Sequence, residues 1–333
     1  MSRRIHDMSS DGAAASAPAN GATSSGRPHH ARADCTADGA GGLTFDVRFF
    51  DRNDAETPAP YPPERAAVLL RPRHHSGPDD GLRLPLGRSG AGGRLRATLP
   101  STAGLREGRW DAYLAWADEE PQRLLPGVVD LRSLVDRVPV DTHTGLVARI
   151  PYTTKYGNLT VRAWHRRPHA EAGALHVEDG AMALEGRLYG ARLSTAAQLE
   201  ARSRDASVSP VRVPVRRESE DEAGVSAAPG DGDSDGDGDG GGGGHPGSGF
   251  TAELPFGPLV PGDQVWDLWV RPSDDEEPVR LARILDDVPD KKRIFRYPSR
   301  RVAGPDGAVH SVRPYYTVNN NLSVEVSSKA SEE

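Results

Sequence analysis

Three short blocks of this sequence occur twice in the same order, and this repetition constrains the fold more than any other feature. Each block keeps the type of its aromatic, acidic or apolar residues in both copies. The pairs are Trp110-Asp111-Ala112-Tyr113 with Trp266-Asp267-Leu268-Trp269, Glu120-Pro121-x-Arg123-Leu124 with Glu277-Pro278-x-Arg280-Leu281, and Pro151-Tyr152-x-Thr154 with Pro314-Tyr315-x-Thr317. After three further residues the last pair continues as Asn158-Leu159-Thr160-Val161 and Asn321-Leu322-Ser323-Val324. Because solenoid repeats are far shorter than this spacing, the duplication predicts two complete domains.

Short runs of alternating polarity, separated by Gly, Pro and Asp, fill the sequence between the blocks. Residues 43–49 alternate apolar and polar side chains with a period of two, and residues 182–188 are their counterpart. This pattern is typical of half-buried strands. Frequent turn residues and almost no helical periodicity predict an all-β fold of two tandem antiparallel Ig-like β-sandwich domains. The prolines within 82–86 and 211–215 predict edge strands or bulges there.

The same alignment predicts the domain boundaries. Residues 1–41 are rich in Ala, Gly and Ser without an apolar run, so we expect a disordered N-terminal tail. We expect the first sandwich over 42–164, a linker over 165–177, the second sandwich over 178–328 and a short tail over 329–333. The Gly/Asp-rich stretch falls between two strands of the second copy. It therefore predicts a disordered insertion over 216–249 rather than a linker between domains.

Composition narrows the classes of partner and compartment. The net charge of −7 argues against nucleic acid as the main partner, because acidic residues balance the Arg-rich stretches 71–75 and 162–167. No apolar run reaches the roughly 18 residues that a membrane span needs. The single cysteine, Cys35, has no partner for an internal disulfide, and no apolar signal-peptide core follows Arg3 and Arg4. We therefore expect a cytoplasmic protein.

An acidic run over 231–239 resembles the start of a calcium-binding loop. Its alternating aspartates fit the first six positions of a helix–loop–helix site, but position 12 would be Gly242, Gly244 or Pro246. None of these supplies the carboxylate that the site needs. The run predicts a solvated acidic loop, with weak, unspecific divalent-cation binding as the alternative.

Other motifs for metals, cofactors or catalysis are weak. His165 and His169 have the spacing of two ligands on one helical face, but Pro168 disfavours a helix and no third ligand is evident. The sequence has no phosphate-binding glycine loop, dinucleotide fingerprint or nucleophile elbow. We therefore predict no cofactor, no metal site and no catalytic residues. A Ser/His/Asp site assembled from distant positions stays open.

The repeated Trp-Asp strand contains the best candidates for ligand binding. With a period of two, Trp110 and Trp266 face the cores. In each strand the residues at the alternate positions, which begin with the aspartate after the tryptophan, point outwards. The outward set pairs an aromatic ring with a carboxylate in both copies, as shallow carbohydrate sites do. The predicted ligand-binding residues are Asp111, Tyr113, Asp267 and Trp269. The alternative is that Tyr113 and Trp269 pack against a loop or the other domain.

The tyrosines of the third block have a structural interpretation. A tyrosine near a strand corner often bonds only a nearby backbone group. We therefore assign Tyr152 and Tyr315 to the structural core, together with the two tryptophans. The run from Asn319 to Asn321 predicts a tight turn with a positive φ.

The repeated blocks, and above all residues 313–324, resemble β-sandwich modules that follow the catalytic domains of actinobacterial family 2 glycosyltransferases. Related modules accompany wall-teichoic-acid glycerophosphotransferases. The resemblance covers residues 42–164 and 178–328, and it implies Ig-like sandwiches that bind glycan polymer or mediate transferase assembly. The nucleotide-sugar-binding catalytic domain of that family is missing from this sequence.

These observations predict a non-catalytic accessory module of cell-wall glycopolymer synthesis. Its expected partner is a cell-wall glycopolymer or a glycosyltransferase, and not nucleic acid. Two alternatives stay open: a glycosyl- or glycerophosphotransferase-like enzyme whose active site is not recognisable, and a protein–protein adaptor.

Overall fold

A computed structural model of the chain describes residues 29–328, except 60–64, 75–76, 78–80, 90–93, 117–118, 136, 138, 140–144, 219–246, 261–263 and 306. Nearly all regular structure in this part is β-strand, and the all-β prediction is confirmed. The one α-helix described, α1, is a single turn over Lys291–Ile294. Within the described residues, no helix has the length and apolar character needed to cross a bilayer.

The first half of the chain forms two sheets. Their strands are β1 (His30–Ala37), β2 (Leu43–Phe50), β3 (Glu56–Thr57), β4 (Ala66–Pro72), β5 (Leu82–Pro85), β6 (Gly87–Ser89), β7 (Arg94–Leu99), β8 (Gly108–Trp116), β9 (Gln122–Arg123), β10 (Leu125–Asp130), β11 (Leu146–Thr153) and β12 (Leu159–Arg166). One sheet has the order β10-β1-β2-β7-β6, with β3 beside β2. The other has the order β11-β12-β8-β4-β5, with β9 beside β8.

The second half repeats this topology. Its strands are β13 (His169–Val177), β14 (Ala181–Tyr189), β15 (Gln198–Ser203), β16 (Val211–Pro214), β17 (Arg216–Arg217), β18 (Ser248–Pro255), β19 (Gln264–Arg271), β20 (Val279–Ala282), β21 (Arg300–Ala303), β22 (Val309–Tyr316) and β23 (Leu322–Ser327). The orders β17-β18-β14-β13-β20 and β22-β23-β19-β15-β16 match the two sheets of the first half. Strand β20 pairs with both β13 and β19 and so joins the two sheets, and β21 adds an edge strand to β22.

Strand pairing is antiparallel apart from one parallel pair in each half. These pairs are β1 with β10 and β13 with β20. The predicted proline-bearing edge strands are present: β5 ends the order of its sheet, and β16 pairs only with β15. Pro85 and Pro214 therefore lie where a missing N–H costs no hydrogen bond within the sheet.

The prediction of a disordered N-terminal tail is wrong for residues 30–37. Residues 30–37 form β1, which pairs along its whole length with β2. Its inward residues, Ala31, Ala33 and Cys35, are small and buried, so the strand contains none of the large apolar residues that usually mark a core. Because small and polar residues alternate in this strand, its composition is the same as that expected of a disordered segment. Residues 1–28 lie outside the described residues.

The predicted linker over 165–177 is also wrong. Strand β12 continues to Arg166, and β13 begins at His169 after a cis Arg167–Pro168 bond. In the first copy, Ala33 of β1 pairs with Val47 of β2, and in the second, Ala172 of β13 pairs with Gly186 of β14. Since β14 is the counterpart of β2, β13 is the second copy of β1. The second copy thus begins within the predicted linker.

The Gly/Asp-rich stretch lies mostly outside the described residues, as do residues 329–333. Its two ends are described, and they lie in one sheet: Arg216 pairs with Thr251 and Arg217 with Phe250. The stretch therefore connects two neighbouring strands of the second copy.

The molecule has two apolar cores among its described residues, one in each copy. Trp110 is 5% exposed and Trp266 is fully buried, one in each core. The indole N–H of Trp110 donates to the carbonyl of Arg106, and that of Trp266 to the carbonyl of Leu259. Each tryptophan thus fills the inner face of its strand with its polar atom satisfied.

The two copies pack against each other through apolar and polar contacts. Four side chains of the second copy belong to the core cluster of the first: Tyr189, Ala282, Ile284 and Leu285. Within the second copy, the carboxylate of Glu171 accepts hydrogen bonds from the backbone N–H groups of Ile284 and Leu285 at 2.9–3.0 Å and so holds two of the residues that enter this contact. In addition, Arg162 donates to the side chain of Asn319 at 3.0 Å.

Candidate functional site

The outer faces of β8 and β19 have the alternation that the sequence predicts. Asp111 and Tyr113 of β8, and Asp267 and Trp269 of β19, are half-buried on the side opposite the core tryptophans. On one side β8 pairs with β4, and on the other with β12 and then β9. Strand β19 has β15 on one side and β23 and β20 on the other. The neighbouring strands therefore decide what surrounds each aspartate and ring.

Asp111 is held by two arginines and one hydroxyl. Its carboxylate lies 2.7 Å from a guanidinium nitrogen of Arg73 and 3.3 Å from one of Arg123. The Thr160 hydroxyl donates to the same carboxylate at 2.9 Å. Since three donors converge on it, the carboxylate is a structural acceptor in this state rather than a free acceptor for sugar hydroxyls.

Asp267 has the equivalent partners. Its carboxylate lies 3.1 Å from Arg204 and 2.9 Å from Arg280, and the Ser323 hydroxyl donates to it at 2.8 Å. Strand registers match partner by partner: Thr160 faces Asp111 as Ser323 faces Asp267. The two copies have therefore kept one constellation on the same positions.

Each outward ring lies among guanidinium groups. The guanidinium carbons of Arg71 and Arg123 are 5.5 and 4.8 Å from the ring centre of Tyr113. Those of Arg202 and Arg280 are 5.2 and 5.4 Å from the ring centre of Trp269. At such distances a cation is attracted to the face of the ring. We call these sets the first cluster (Arg71, Arg73, Asp111, Tyr113, Arg123 and Thr160) and the second cluster (Arg202, Arg204, Asp267, Trp269, Arg280 and Ser323).

The electrostatics of both clusters follow from an excess of cations. Burial alone would raise the pKa of Asp111, but hydrogen bonds from Arg73 and Thr160 and the charge of Arg123 hold it below its usual value. The same balance, with Arg204 and Arg280, lowers the pKa of Asp267. Both aspartates are therefore anionic at neutral pH, and each cluster contains three arginines for one aspartate.

Arg280 is the most enclosed of the four guanidinium groups that contact the two aspartates. Its side chain is 15% exposed, and it donates to the Leu322 carbonyl at 2.7 Å and also to the Leu268 carbonyl. Desolvation lowers its pKa to about 10, and the charge of Asp267 opposes this shift, so it remains a cation at neutral pH. Arg73 and Arg123 of the first cluster are more open to solvent, with side chains 33% and 27% exposed.

The assignment of Tyr152 and Tyr315 to the core is wrong. Both are half-buried on the outer face, where Tyr152 faces Thr160 and Tyr315 faces Ser323. The hydroxyl of Tyr152 adds to the rise in the pKa of Arg73, of which the Asp111 hydrogen bond is the main cause. The next tyrosine in the second copy, Tyr316, is the buried one. One residue of register exchanges the two faces of a strand.

The second cluster is extended by a buried carboxylate that the first lacks. Glu200 is fully buried and lies 2.6, 2.7 and 3.0 Å from guanidinium nitrogens of Arg271, Arg202 and Arg212. In the first copy its place beside the outward ring is taken by Leu69, which faces Tyr113. The two copies have therefore diverged at this position.

The arginines of both clusters were missing from the predicted sites. The repeated Arg123 and Arg280 mark one arginine in each copy, but their sequence distance from the Trp-Asp block hides the contact. Arg71 with Arg73, and Arg202 with Arg204, have the spacing of residues on one face of a strand. That spacing is the signal from which these pairs could have been found.

The predicted weak metal motifs do not assemble. His165 is exposed at the end of β12, whereas His169 is fully buried on β13 with its Nε2 2.7 Å from the Glu171 carboxylate. Among the described residues, no group of three or more His, Cys, Asp or Glu side chains is placed to hold a metal ion. The acidic run over 231–239 lies outside that part of the chain.

No protein-family model and no curated protein matches this sequence. Two solved structures of S. aureus TarS, one of them of residues 217–571, resemble the fold with a TM-score of 0.30 each. Sequence identities are 11% and 12% over 58% and 59% of this chain. The chain spans only 34% and 54% of the length of those TarS chains. A likeness this loose does not bear on activity or partners.

Proposed function

We propose that this protein is a non-catalytic binding module that recognises an anionic cell-wall glycopolymer on the outer faces of β8 and β19. The observation that carries the proposal is the recurrence of one cluster in both copies. Asp111 and Asp267 orient arginines beside Tyr113 and Trp269, although the rest of the two copies has diverged widely. Arginine recognises phosphate and carboxylate with paired N–H donors, and an aromatic ring offers an apolar face to sugar C–H groups.

The charge ratio of the clusters favours an anionic ligand over a neutral one. Each carboxylate is already occupied by guanidinium groups, whereas the side chains of Arg73 and Arg123 are partly exposed to solvent. A phosphate or carboxylate of a polymer adds acceptors where donors are in excess. A neutral sugar would instead compete with guanidinium for the ring. The resemblance of the repeated blocks to modules of wall-polymer transferases supports the same class of ligand, and the cytoplasm remains the expected compartment.

Co-sedimentation of the protein with isolated bacterial cell wall tests this proposal. Wild-type protein is expected to bind walls that contain their anionic polymers and to lose binding when the polymers are stripped. The variant Tyr113→Ala/Trp269→Ala, checked for its fold by circular dichroism, is expected to lose binding at both clusters. Arg71→Gln/Arg202→Gln should weaken it in the same way, because one cation beside each ring is removed.

Arg88→Gln/Arg94→Gln serves as the matched control. It makes the same change in net charge at exposed positions of the other sheet of the first copy. Equal loss in the control would show that only overall charge matters and would contradict the proposal. The adaptor alternative would be favoured if the wild-type protein did not bind the polymers but bound a transferase through these faces.

A further inference from the structure

A basic segment after β20 is present only in the second copy. It runs through α1 to the start of β21 and contains Lys291, Lys292, Arg293 and Arg296. In the first copy, the corresponding connection between β10 and β11 contains only a short 3-10 turn, Arg132–Leu134, among its described residues. This segment is thus an addition to the duplicated fold.

Lys291 holds the segment together internally, and two aromatic rings fix it to the body of the second copy. Lys291 is fully buried, pairs with Asp286, and donates from its Nζ to the Val288 carbonyl at 2.5 Å. The ring of Phe295 packs edge-on against Tyr316 at 5.8 Å between ring centres. The ring of Tyr297 lies 6.3 Å from that of Tyr316.

The residues between these anchors point to solvent. Lys292, Arg293 and Arg296 are exposed, and Ile294 among them is 64% exposed. We call these four residues the basic patch. Within the part of the chain that the structure describes, none of its three cations has an ion-pair or hydrogen-bond partner. The carboxylates that precede it are half-buried, and Asp286 is occupied by Lys291 and Arg283.

The basic patch differs in this respect from both clusters. There, carboxylates hold most of the guanidinium groups, whereas here the cations have no carboxylate partner among the described residues and surround an exposed apolar side chain. The net charge of −7 does not argue against an anionic partner at this place. The stretch 219–246 alone contains eight acidic residues and no Lys or Arg, so the rest of the chain is close to neutral.

We propose that the basic patch attaches the protein peripherally to an anionic lipid surface. Lysine and arginine are attracted to anionic headgroups, and an exposed isoleucine gains by entering the interface with the acyl chains. A soluble anionic polymer would satisfy the cations but offers no apolar phase to Ile294. The exposed isoleucine therefore favours a bilayer. The anchors at Lys291 and Phe295 present the four side chains on a fixed support.

Sedimentation of the full chain with lipid vesicles tests this inference. Vesicles of phosphatidylglycerol and phosphatidylcholine in equal parts are expected to bind the protein, and vesicles of phosphatidylcholine alone are not. Binding should weaken as salt is added, because exposed charges are screened. The variant Lys292→Gln/Arg293→Gln/Arg296→Gln should bind about 100-fold more weakly, at roughly fivefold for each cation. Ile294→Ser should also bind more weakly, without a change in the salt dependence.

The control Arg88→Gln/Arg94→Gln/Arg96→Gln changes the net charge equally on the first copy and is expected to bind as the wild type does. The Tyr113→Ala/Trp269→Ala variant should keep full vesicle binding, so failure of the glycopolymer proposal would leave this result unchanged. Wild-type protein that ignores anionic vesicles would overturn the inference, as would a basic-patch variant that binds them fully. Loss of binding to a soluble anionic polymer, with no vesicle binding by the wild type, would assign the patch to the polymer instead.

Discussion

Asp111 and Asp267 each lie among two guanidinium groups and a hydroxyl, whose donors fill the acceptor sites of the carboxylate. Their side chains are 17% and 25% exposed, so the surrounding charges are only partly screened by solvent. Each aspartate fixes two arginines and a hydroxyl on neighbouring strands. At the scale of single residues, these carboxylates therefore organise the clusters, and the proposed function assigns contact with the ligand to the arginines.

Replacing these aspartates tests that role. Asp111→Asn and Asp267→Asn remove the negative charge and one acceptor, so each should lower the free energy of unfolding at pH 7 by about 1–3 kcal/mol. The pKa of both aspartates is lowered in the folded protein. Their stabilisation is therefore complete above the unfolded value of about 3.9 and is lost as the pH falls through the lower folded value.

Urea unfolding of both variants at pH 7 and near pH 3 measures this effect. The difference from the wild type should be largest at neutral pH and should shrink at acidic pH. Asp179→Asn is the control, since this side chain is 93% exposed and its contact with Arg300 is long, at 3.7 Å. A deficit that stays the same at both pH values would contradict the electrostatic role.

The sequence predicted the faces of β8 and β19 but not their surroundings. Alternation places Trp110 inside and Tyr113 outside without further information. The partners of Asp111 come from β9, β12 and the residue that follows β4, and no local pattern shows which residues these elements bring to it. Tyr152 was misplaced for a related reason. The pattern Tyr-x-Thr shows that two side chains share a face, but it does not show which face is buried.

At the scale of elements, strands with large apolar residues at inward positions could be recognised in the sequence, whereas strands with small inward residues could not. The strands that were predicted, such as β2 and β14, contain Leu, Phe or Met at inward positions. The strands that were missed, β1 and β13, bury Ala at the equivalent inward positions. Alanine favours helices and is depleted in strands, so composition alone does not identify such a strand.

The loops at one end of the first sandwich are tied together by Arg149, a fully buried side chain of β11. Its guanidinium donates to the carbonyls of Gly41, Pro100 and Ser101 at 2.8–3.2 Å, and also to that of Ala103. In the second copy, Val312 of β22 takes the equivalent place. This contact connects the β1–β2 turn, the segment after β7 and β11.

Arg149→Met should therefore destabilise the first copy strongly. It keeps much of the side-chain volume but leaves several buried carbonyls without donors, which we expect to cost about 3 kcal/mol or more. Arg88→Met at an exposed position is the control and should change stability by less than about 0.5 kcal/mol. Chemical unfolding followed by tryptophan fluorescence compares them. Equal stability of Arg149→Met and the wild type would show that water replaces these donors without loss.

At the scale of the whole molecule, the two copies form a joined pair. The Glu171 carboxylate binds the backbone of Ile284 and Leu285, whose side chains pack into the core cluster of the first copy. The turn over 318–321 adds polar contacts to β12 through Arg162 and Arg166. Its Asn320 has the predicted positive φ, at 59°. The sequence predicts the duplication. It does not predict this junction, because the junction lies mostly outside the repeated blocks.

Glu171→Ala is expected to loosen that junction. Without its carboxylate the two N–H groups lose their acceptor, so amide hydrogen exchange at residues 284 and 285 should become faster while exchange in β8 and β19 stays unchanged. Glu185→Ala, on the exposed face of the neighbouring strand β14, should exchange as the wild type does. Unchanged protection at 284 and 285 would contradict this role of Glu171 at the junction.

Calorimetric titration with a short glycerol-phosphate oligomer that carries sugar substituents tests the central claim, that each copy has one equivalent site for an anionic glycopolymer. The wild type should bind two oligomers, and Tyr113→Ala and Trp269→Ala should each bind one. The double variant should bind none while it remains folded. Binding of two oligomers by the double variant, or no binding by the folded wild type, would contradict the assignment of the two clusters as ligand sites.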